Sequence, residues 1–245
     1  LSVFSDFAPH LGMIRSFSYG NNFPTSYAHF AGEDIKYHFM FQFLVGNLEF
    51  LGLRLDHAFN LPSIFGLVAS CVLLYALAVR LTGKRAVGYL TTVFFIFRSS
   101  PSFFRFLAGL PKEEIWERLK TQQQFIEFTQ NEGWGLWNLN VYCNQRHLAF
   151  AIAAMLLALH FFMPYVYKMA EKLREKREEL RQKNTDKRFM VDIKAIPDYI
   201  KLFFFTKSAF GVKHPVRALF LGILLGALAF FNGSVLTACC AMLFF

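Results

Sequence analysis

The chain has 245 residues, of which 55% are hydrophobic, with 32 Phe and a formal net charge of +9. That composition fits lipid-facing helices better than a water-surrounded core and leaves no soluble domain of ordinary size. The positive charge would suggest nucleic acid in a soluble protein, but it is concentrated in one loop beside apolar stretches. Anionic membrane lipids are therefore the expected partner, and no nucleic acid is expected. Cys71, Cys239 and Cys240 fall within hydrophobic stretches and Cys143 stands alone, so neither a disulfide framework nor a cysteine metal site is indicated.

Residues 1–60 are too polar to span a membrane and too apolar for a free loop, which predicts short amphipathic helices lying on the outer face. A first helix is expected from Ser5 or Asp6, with Pro9 in its first turn and a stop before Gly20-Asn21-Asn22. An irregular crossing loop from Phe23 to Glu33 leads to a second helix over Asp34–Leu51, ended by Gly52. Residues 61–167 are expected to hold three transmembrane helices. The clearest, Leu61–Leu81, has one charge, Arg80, and the length needed to cross ~30 Å of hydrocarbon. Arg80, Lys84 and Arg85 mark its cytoplasmic end.

A return span follows over Ala86–Phe97, although 12 residues of helix reach only about 18 Å. An external segment, 98–147, leads to a third span inward over Leu148–Tyr167. Residues 168–215 are expected to form a basic cytoplasmic loop, because the stretch from Lys168 to Arg217 carries fourteen Lys and Arg. Its first part extends the third span as a charged helix, and Lys201–Lys207 reads as an interfacial helix. Were Ala86–Phe97 re-entrant, those fourteen cations would face outward, against the charge rule. Residues 216–245 complete the reading as a truncated transmembrane hairpin, Val216–Phe231 and Val235 onward, turning outside at Asn232-Gly233-Ser234. The fold class expected is all-α, a polytopic membrane helix bundle with amphipathic juxtamembrane helices on the outer face. The topology also requires a span before Leu1, so the chain reads as an internal fragment.

Five of the seven histidines, His10, His29, His38, His57 and His147, fall on the outer side. Two repeat one spacing, Asp6-x-x-x-His10 and Asp34-x-x-x-His38, which on a helix puts carboxylate and imidazole on one face. A carboxylate held by an imidazole serves as a general base or as half of a divalent metal site. Asp6 reads first as a helix N-cap, a role that can coexist with a catalytic one, and Asp34 as a cap or a solvated side chain beside Glu33. His38 reads as an interfacial histidine among aromatics or as a site residue; His29 and His57 read as structural. The cluster Asn144-Gln145-Arg146-His147 sits where the third span enters from outside, with Arg146 at headgroup depth for a lipid phosphate and Asn144 and His147 adding polar groups. Arg146 as an ordinary membrane anchor is the alternative. Arg98 and Arg105 are weaker candidates for phosphate, and Trp134 and Trp137 suit an aromatic belt.

Asp6, Asn22-Phe23-Pro24, the run Ala31-Gly-Glu-Asp-Ile-Lys-Tyr-His-Phe39, Leu44 and Leu61-Pro-Ser63 together resemble the large polytopic GT-C class of glycosyltransferases, nearest its poorly characterised bacterial branch. The match covers residues 1 to about 100; beyond that only the order of segments agrees. The resemblance implies a transferase in the bacterial cytoplasmic (inner) membrane, multi-pass, that takes a sugar from a polyprenyl-phosphate carrier at the extracytoplasmic face. It implies Asp6 as catalytic base or metal holder and Arg146 as the group binding the lipid phosphate. His10, Asp34, His38, Asn144 and His147 complete the substrate-binding candidates, and a divalent metal ion, with Asp6 and His10 as candidate ligands, is the candidate cofactor. No D-x-D or D-E pair surrounds Asp6, a departure from the class. Competing expectations are a membrane transporter or a non-catalytic scaffold, and a metal-dependent hydrolase built on both D-x-x-x-H pairs. A transporter would place ionisable residues within the spans, where His160 is the one internal exception.

Overall fold

A computed structural model describes residues 7–23, 25–30, 32–97, 101–128, 133, 138–183, 197, 200–201 and 214–244. The elements among them are all helical: α1 Phe7–Ser18, α2 Met40–Phe50, α3 Leu55–Thr82, α4 Arg85–Ile96, α5 Ser102–Ala108, α6 Ile115–Thr121, α7 Arg146–Lys183, α8 Pro215–Phe231 and α9 Gly233–Phe244. A π-helical turn, Asn138–Cys143, precedes α7. Two helices are long and apolar enough to cross a membrane, α3 and the Arg146–Lys172 part of α7; α4, α8 and α9 are apolar but shorter.

The frame is the pair α3 and α7. A Cβ on Gly66 would lie 2.9 Å from the Phe150 Cα and 3.0 Å from its backbone N, so only glycine lets the two backbones meet there. One turn on, Ser70 Oγ donates to the Ala149 carbonyl at 2.7 Å in a buried position. At the other end a His160 ring nitrogen lies 2.9 Å from the Leu73 carbonyl, and Arg80 Nη1 donates to the His160 carbonyl at 2.6 Å. The last bond has a local cause. Pro164 lacks the N–H that would bond the carbonyl four residues back, which is that of His160, and Arg80 supplies the missing donor from the neighbouring helix. Residue 66 thus meets 150 and residue 80 meets 160, so α3 and α7 run parallel.

The shorter helices pack with opposite or matching sense. Gly88 of α4 sits against Tyr75 and Val79 of α3, and Tyr142 OH donates to the Phe95 carbonyl at 3.1 Å, so α4 returns antiparallel to α3. Its 12 residues make about 18 Å of helix, well under the length of the 28-residue α3. Helix α8 ends near the start of α7, where Phe231 stacks on Phe150 at 5.2 Å and Leu228 shares a core with Ala151 and Val235. Asn232 Oδ1 then accepts the Val235 N–H at 3.1 Å, and α9 departs in the direction of α7, with Cys239 packed among Leu156, Ala158 and Leu159.

Helices α1 and α2 form a hairpin on the N-terminal ends of α3 and α7. Phe7, His10, Met13, Ile14 and Ser18 make one buried face of α1, and Phe41, Gln42, Val45, Gly46 and Glu49 one of α2, both at helical spacing. A Cβ on Gly46 would be 2.9 Å from the Ile14 carbonyl oxygen, so α1 and α2 also touch at the backbone. Buried Glu49 is held from α1 by Ser18 Oγ at 2.7 Å and by Arg15 Nη2 at 3.2 Å. Arg15→Ala leaves a buried carboxylate with only its hydroxyl partner and is expected to destabilise the hairpin by about 2 kcal/mol, measurable as a lower denaturation midpoint. An unchanged midpoint would mean that the half-exposed Arg15 is screened by solvent.

Three boundaries differ from expectation. The second helix starts at Met40, not Asp34, because Ile35–Phe39 is non-helical and Asp34 bridges to Ser26 instead. Helix α3 starts at Leu55, ahead of Pro62, so the expected limit at residue 60 falls inside a helix. The segment 98–147 includes α5, α6 and the π-helical turn. The stops at Gly20 and Gly52 agree closely with the helix ends at Ser18 and Phe50, and Asn21 and Gly52 have positive φ, 47° and 101°. Of the expected interfacial helix at Lys201–Lys207, only Lys201 is among the described residues.

Candidate functional site

The hairpin brings three histidines from distant parts of the chain together. His10 lies on the buried face of α1, His38 stands two residues before α2, and His147 is the second residue of α7. The His38 and His147 rings are 4.1 Å apart between centroids, and those of His10 and His147 5.8 Å apart. Gln42, on the α2 face that meets α1, donates its amide N–H to His10 Nδ1 at 2.7 Å. Tyr37 leans on His38 at 3.6 Å. His147 is 1% exposed and Asn144, three residues earlier, is buried as well.

The polar groups of this cluster are under-satisfied. His38 Nε2, His147 Nε2 and Gln42 Oε1 are buried and have no hydrogen-bond partner among the described residues. A buried polar atom left so costs about 1–3 kcal/mol, so three in one neighbourhood single out this cluster as the candidate site. Burial, and secondly the nearby His10, lowers the His38 pKa from 6.5 to about 4, so its imidazole is neutral near pH 7. The ring can then offer one nitrogen as donor and the other as acceptor.

Beside the histidines, Arg146 is anchored rather than free. Its Nη1 donates to Asn60 Oδ1 and its Nε to the Cys143 carbonyl at 3.1 Å, while its guanidinium lies over Phe59 at 4.3 Å and Phe7 at 5.1 Å. These partners fix the cation without neutralising it, and none of the ion pairs among the described residues includes it. An ordinary headgroup anchor would reach freely into solvent; here an aromatic slot holds the charge in place.

Of the site residues expected from sequence, His10, His38 and His147 converge, with Asn144 and Arg146 next to them in the chain. Asp6 lies outside the described residues, although Phe7, which follows it, packs against Arg146 and Phe59. Asp34 does not share a helical face with His38. The segment 35–39 between them is non-helical, and Asp34 lines a cup with Tyr27, Phe30, Glu33, Lys36 and Tyr37. His29 bonds the Pro9 carbonyl at 3.1 Å, a packing role. Arg98, Trp134 and Trp137 lie outside the described residues. Sequence reasoning missed Gln42 and Asn60. The available signal for Gln42 was a lone amide in the apolar run Met40–Val45.

No group of three His, Cys, Asp or Glu among the described residues is arranged to hold a metal ion. Of the candidate ligands, His10 turns its Nδ1 to Gln42 and Asp6 is not among those residues. Comparison with known proteins finds no matching family model, curated protein or solved structure. The functional reading therefore rests on the residues of this chain and on the motif resemblance in its first hundred positions.

Proposed function

We propose that the chain belongs to a multi-pass protein of the bacterial cytoplasmic membrane that transfers a sugar from a polyprenyl-phosphate donor to an acceptor at the extracytoplasmic face. The observation that carries the reading is the convergence of His10, His38 and His147 beside the fixed cation of Arg146. The membrane placement has separate support. Only 17% of the most apolar window of α3 and 33% of that of α7 is buried, whereas the core helix of a soluble protein would be mostly covered. Leu61, Phe65, Val68 and Val72 instead present an apolar outer surface. Parallel α3, α7 and α9 with antiparallel α4 and α8 also suit the topology drawn from the basic flanks, with the histidines at the end opposite Arg80, Lys84 and Arg85.

The chemistry required is simple to state. A base removes the proton of an acceptor hydroxyl, the oxygen bonds to the anomeric carbon, and the bond from that carbon to the lipid phosphate breaks, the phosphate keeping the electron pair. Arg146 is suited to the phosphate because its charge is half-buried, positioned and not matched by a carboxylate among the described residues. The neutral imidazole of His38 is suited to a sugar or acceptor hydroxyl. Asp6, just ahead of the residue that packs on Arg146, is the base that the resemblance implies. The transporter alternative gains little from His160, whose ring is committed to the Leu73 carbonyl.

Native mass spectrometry of the gently solubilised protein tests the reading. A polyprenyl phosphate should co-purify with the wild type and be lost from Arg146→Ala, while Asp6→Asn keeps the carrier and inserts normally but does not transfer. Ordinary phospholipids alone in the wild type would move the assignment to a scaffold or transporter, and retained transfer by Asp6→Asn would move the base elsewhere.

A further inference from the structure

The loop between α1 and α2 carries a second constellation, beside the histidine cluster. Its entrance is clamped by Asn22, whose Nδ2 donates to the Ser26 carbonyl at 2.8 Å and whose Oδ1 accepts the Ser26 N–H at 2.8 Å and its hydroxyl at 2.9 Å. The Tyr27 N–H donates to the Glu33 carbonyl at 2.7 Å, the Phe30 N–H to the Tyr27 carbonyl at 3.1 Å, and Ser26 pairs with Asp34. Gly32, at φ +83°, supplies the left-handed turn that closes the loop.

Tied in this way, the loop holds two aromatic rings where water would otherwise disfavour them. Tyr27 and Phe30 lie parallel, 5.5 Å apart and 8° from coplanar, and Phe30 is 64% exposed. With Tyr37 they line a cavity of about 350 Å³ completed by Glu33, Asp34 and Lys36. That volume lies within the range of small-ligand pockets. Lys36 Nζ pairs with Glu33 Oε2 at 2.7 Å, while Asp34 takes part in none of the ion pairs among the described residues. The cup therefore has one net negative charge and a lining that includes three electron-rich aromatic side chains. An anion is repelled by both features, and a neutral ligand leaves the Asp34 charge unmatched. A substituted ammonium ion is favoured by both, since its charge meets the carboxylate and its alkyl groups meet the rings.

We propose that the cup formed by Tyr27, Phe30, Tyr37 and Asp34 binds an alkylammonium group. The source of that group is either a lipid headgroup or a soluble amine. The cup adjoins the histidine cluster, since Tyr37 packs on His38 at 3.6 Å, but the charge and the rings that favour an alkylammonium group are its own. Choline binding is read by titration and carrier retention by mass spectrometry, so failure of the one is distinguishable from failure of the other.

Isothermal titration of the full chain, in nanodiscs of phosphatidylglycerol, with choline chloride against a sodium chloride blank of equal ionic strength tests the proposal. Saturable binding is expected, weakened about tenfold by Phe30→Ala and by Asp34→Asn. Both side chains are exposed and the Asp34 pairing with Ser26 is made by the backbone, so the variants should keep the helical circular dichroism of the wild type. Replacing part of the phosphatidylglycerol with phosphatidylcholine separates the sources. A suppressed choline signal identifies a lipid headgroup, and an unchanged one a soluble amine. Absence of saturable binding, equal binding by the folded variants, or displacement of choline by the neutral trisaccharide maltotriose would overturn the proposal.

Discussion

Gly66→Leu is expected to destabilise the protein by about 3 kcal/mol or more, seen as a clear fall in the midpoint of thermal unfolding in detergent. The atoms in the way are the Cα and backbone N of Phe150 at 2.9 and 3.0 Å, and a helix backbone cannot swing aside as a side chain can. The new group would force α3 and α7 apart where Ser70 reaches the Ala149 carbonyl, so that buried bond is lost too. Gly222→Leu is the matching control, since a Cβ there meets nothing within 4 Å and leucine is the better helix former. Equal midpoints for the two variants would show that α3 and α7 do not meet as described.

Acidification is expected to release the α1–α2 hairpin from α7, in a window set by His38. Folding lowers its pKa from 6.5 to about 4, mainly through burial and secondly through His10. The unfolded chain therefore takes up this proton more readily than the folded one. The stabilisation is complete above about pH 6.5, is lost as pH falls toward about 4, and does not change further below that. The groups around His38 are His10 from α1, His147 from α7 and the adjoining Tyr37, with Arg146 next to His147 in sequence; each imidazole that gains a proton adds to the repulsion. Hydrogen exchange of α1 and α2, corrected for its intrinsic pH dependence, should show protection falling through that window, with a flatter profile in His38→Gln. A variant profile identical to the wild type would assign the proton uptake to another group.

What the sequence made legible follows from what kind of signal each feature leaves. Helix α7 was readable as one continuous element because an apolar span runs into charged residues at helical spacing, the helix passing through Pro164. The ends of α1 and α2 were readable because Gly20, Asn21 and Gly52 punctuate the chain. The span over Asp34–Leu51 was overextended at its start, where Tyr37, His38 and Phe39 are weak helix formers and the pairing of Asp34 with Ser26 competes. His10 and His147 were both visible as candidates, but no local pattern reports that residues so far apart in sequence touch. Their meeting depends on Gly46 and Gly66, which allow two pairs of helices to approach at the backbone. The spacing Gly66-x-x-x-Ser70 within an apolar helix was the clue to the second of these. Asn60 left no comparable clue, since its role exists only once Arg146 is seated between Phe7 and Phe59.

The bonds at the two ends of the α3–α7 pair have a mechanical consequence. Arg146 grips Asn60 near one end and Arg80 grips the carbonyl that Pro164 leaves open near the other, so neither helix can slide or tilt without its neighbour. The pair behaves as a single strut. The α1–α2 hairpin meets it through aromatic contacts and through imidazoles whose hydrogen bonding is incomplete. A displacement of the α1–α2 hairpin is thus expected to uncover the buried edges of His38 and His147 while leaving the α3–α7 post in place.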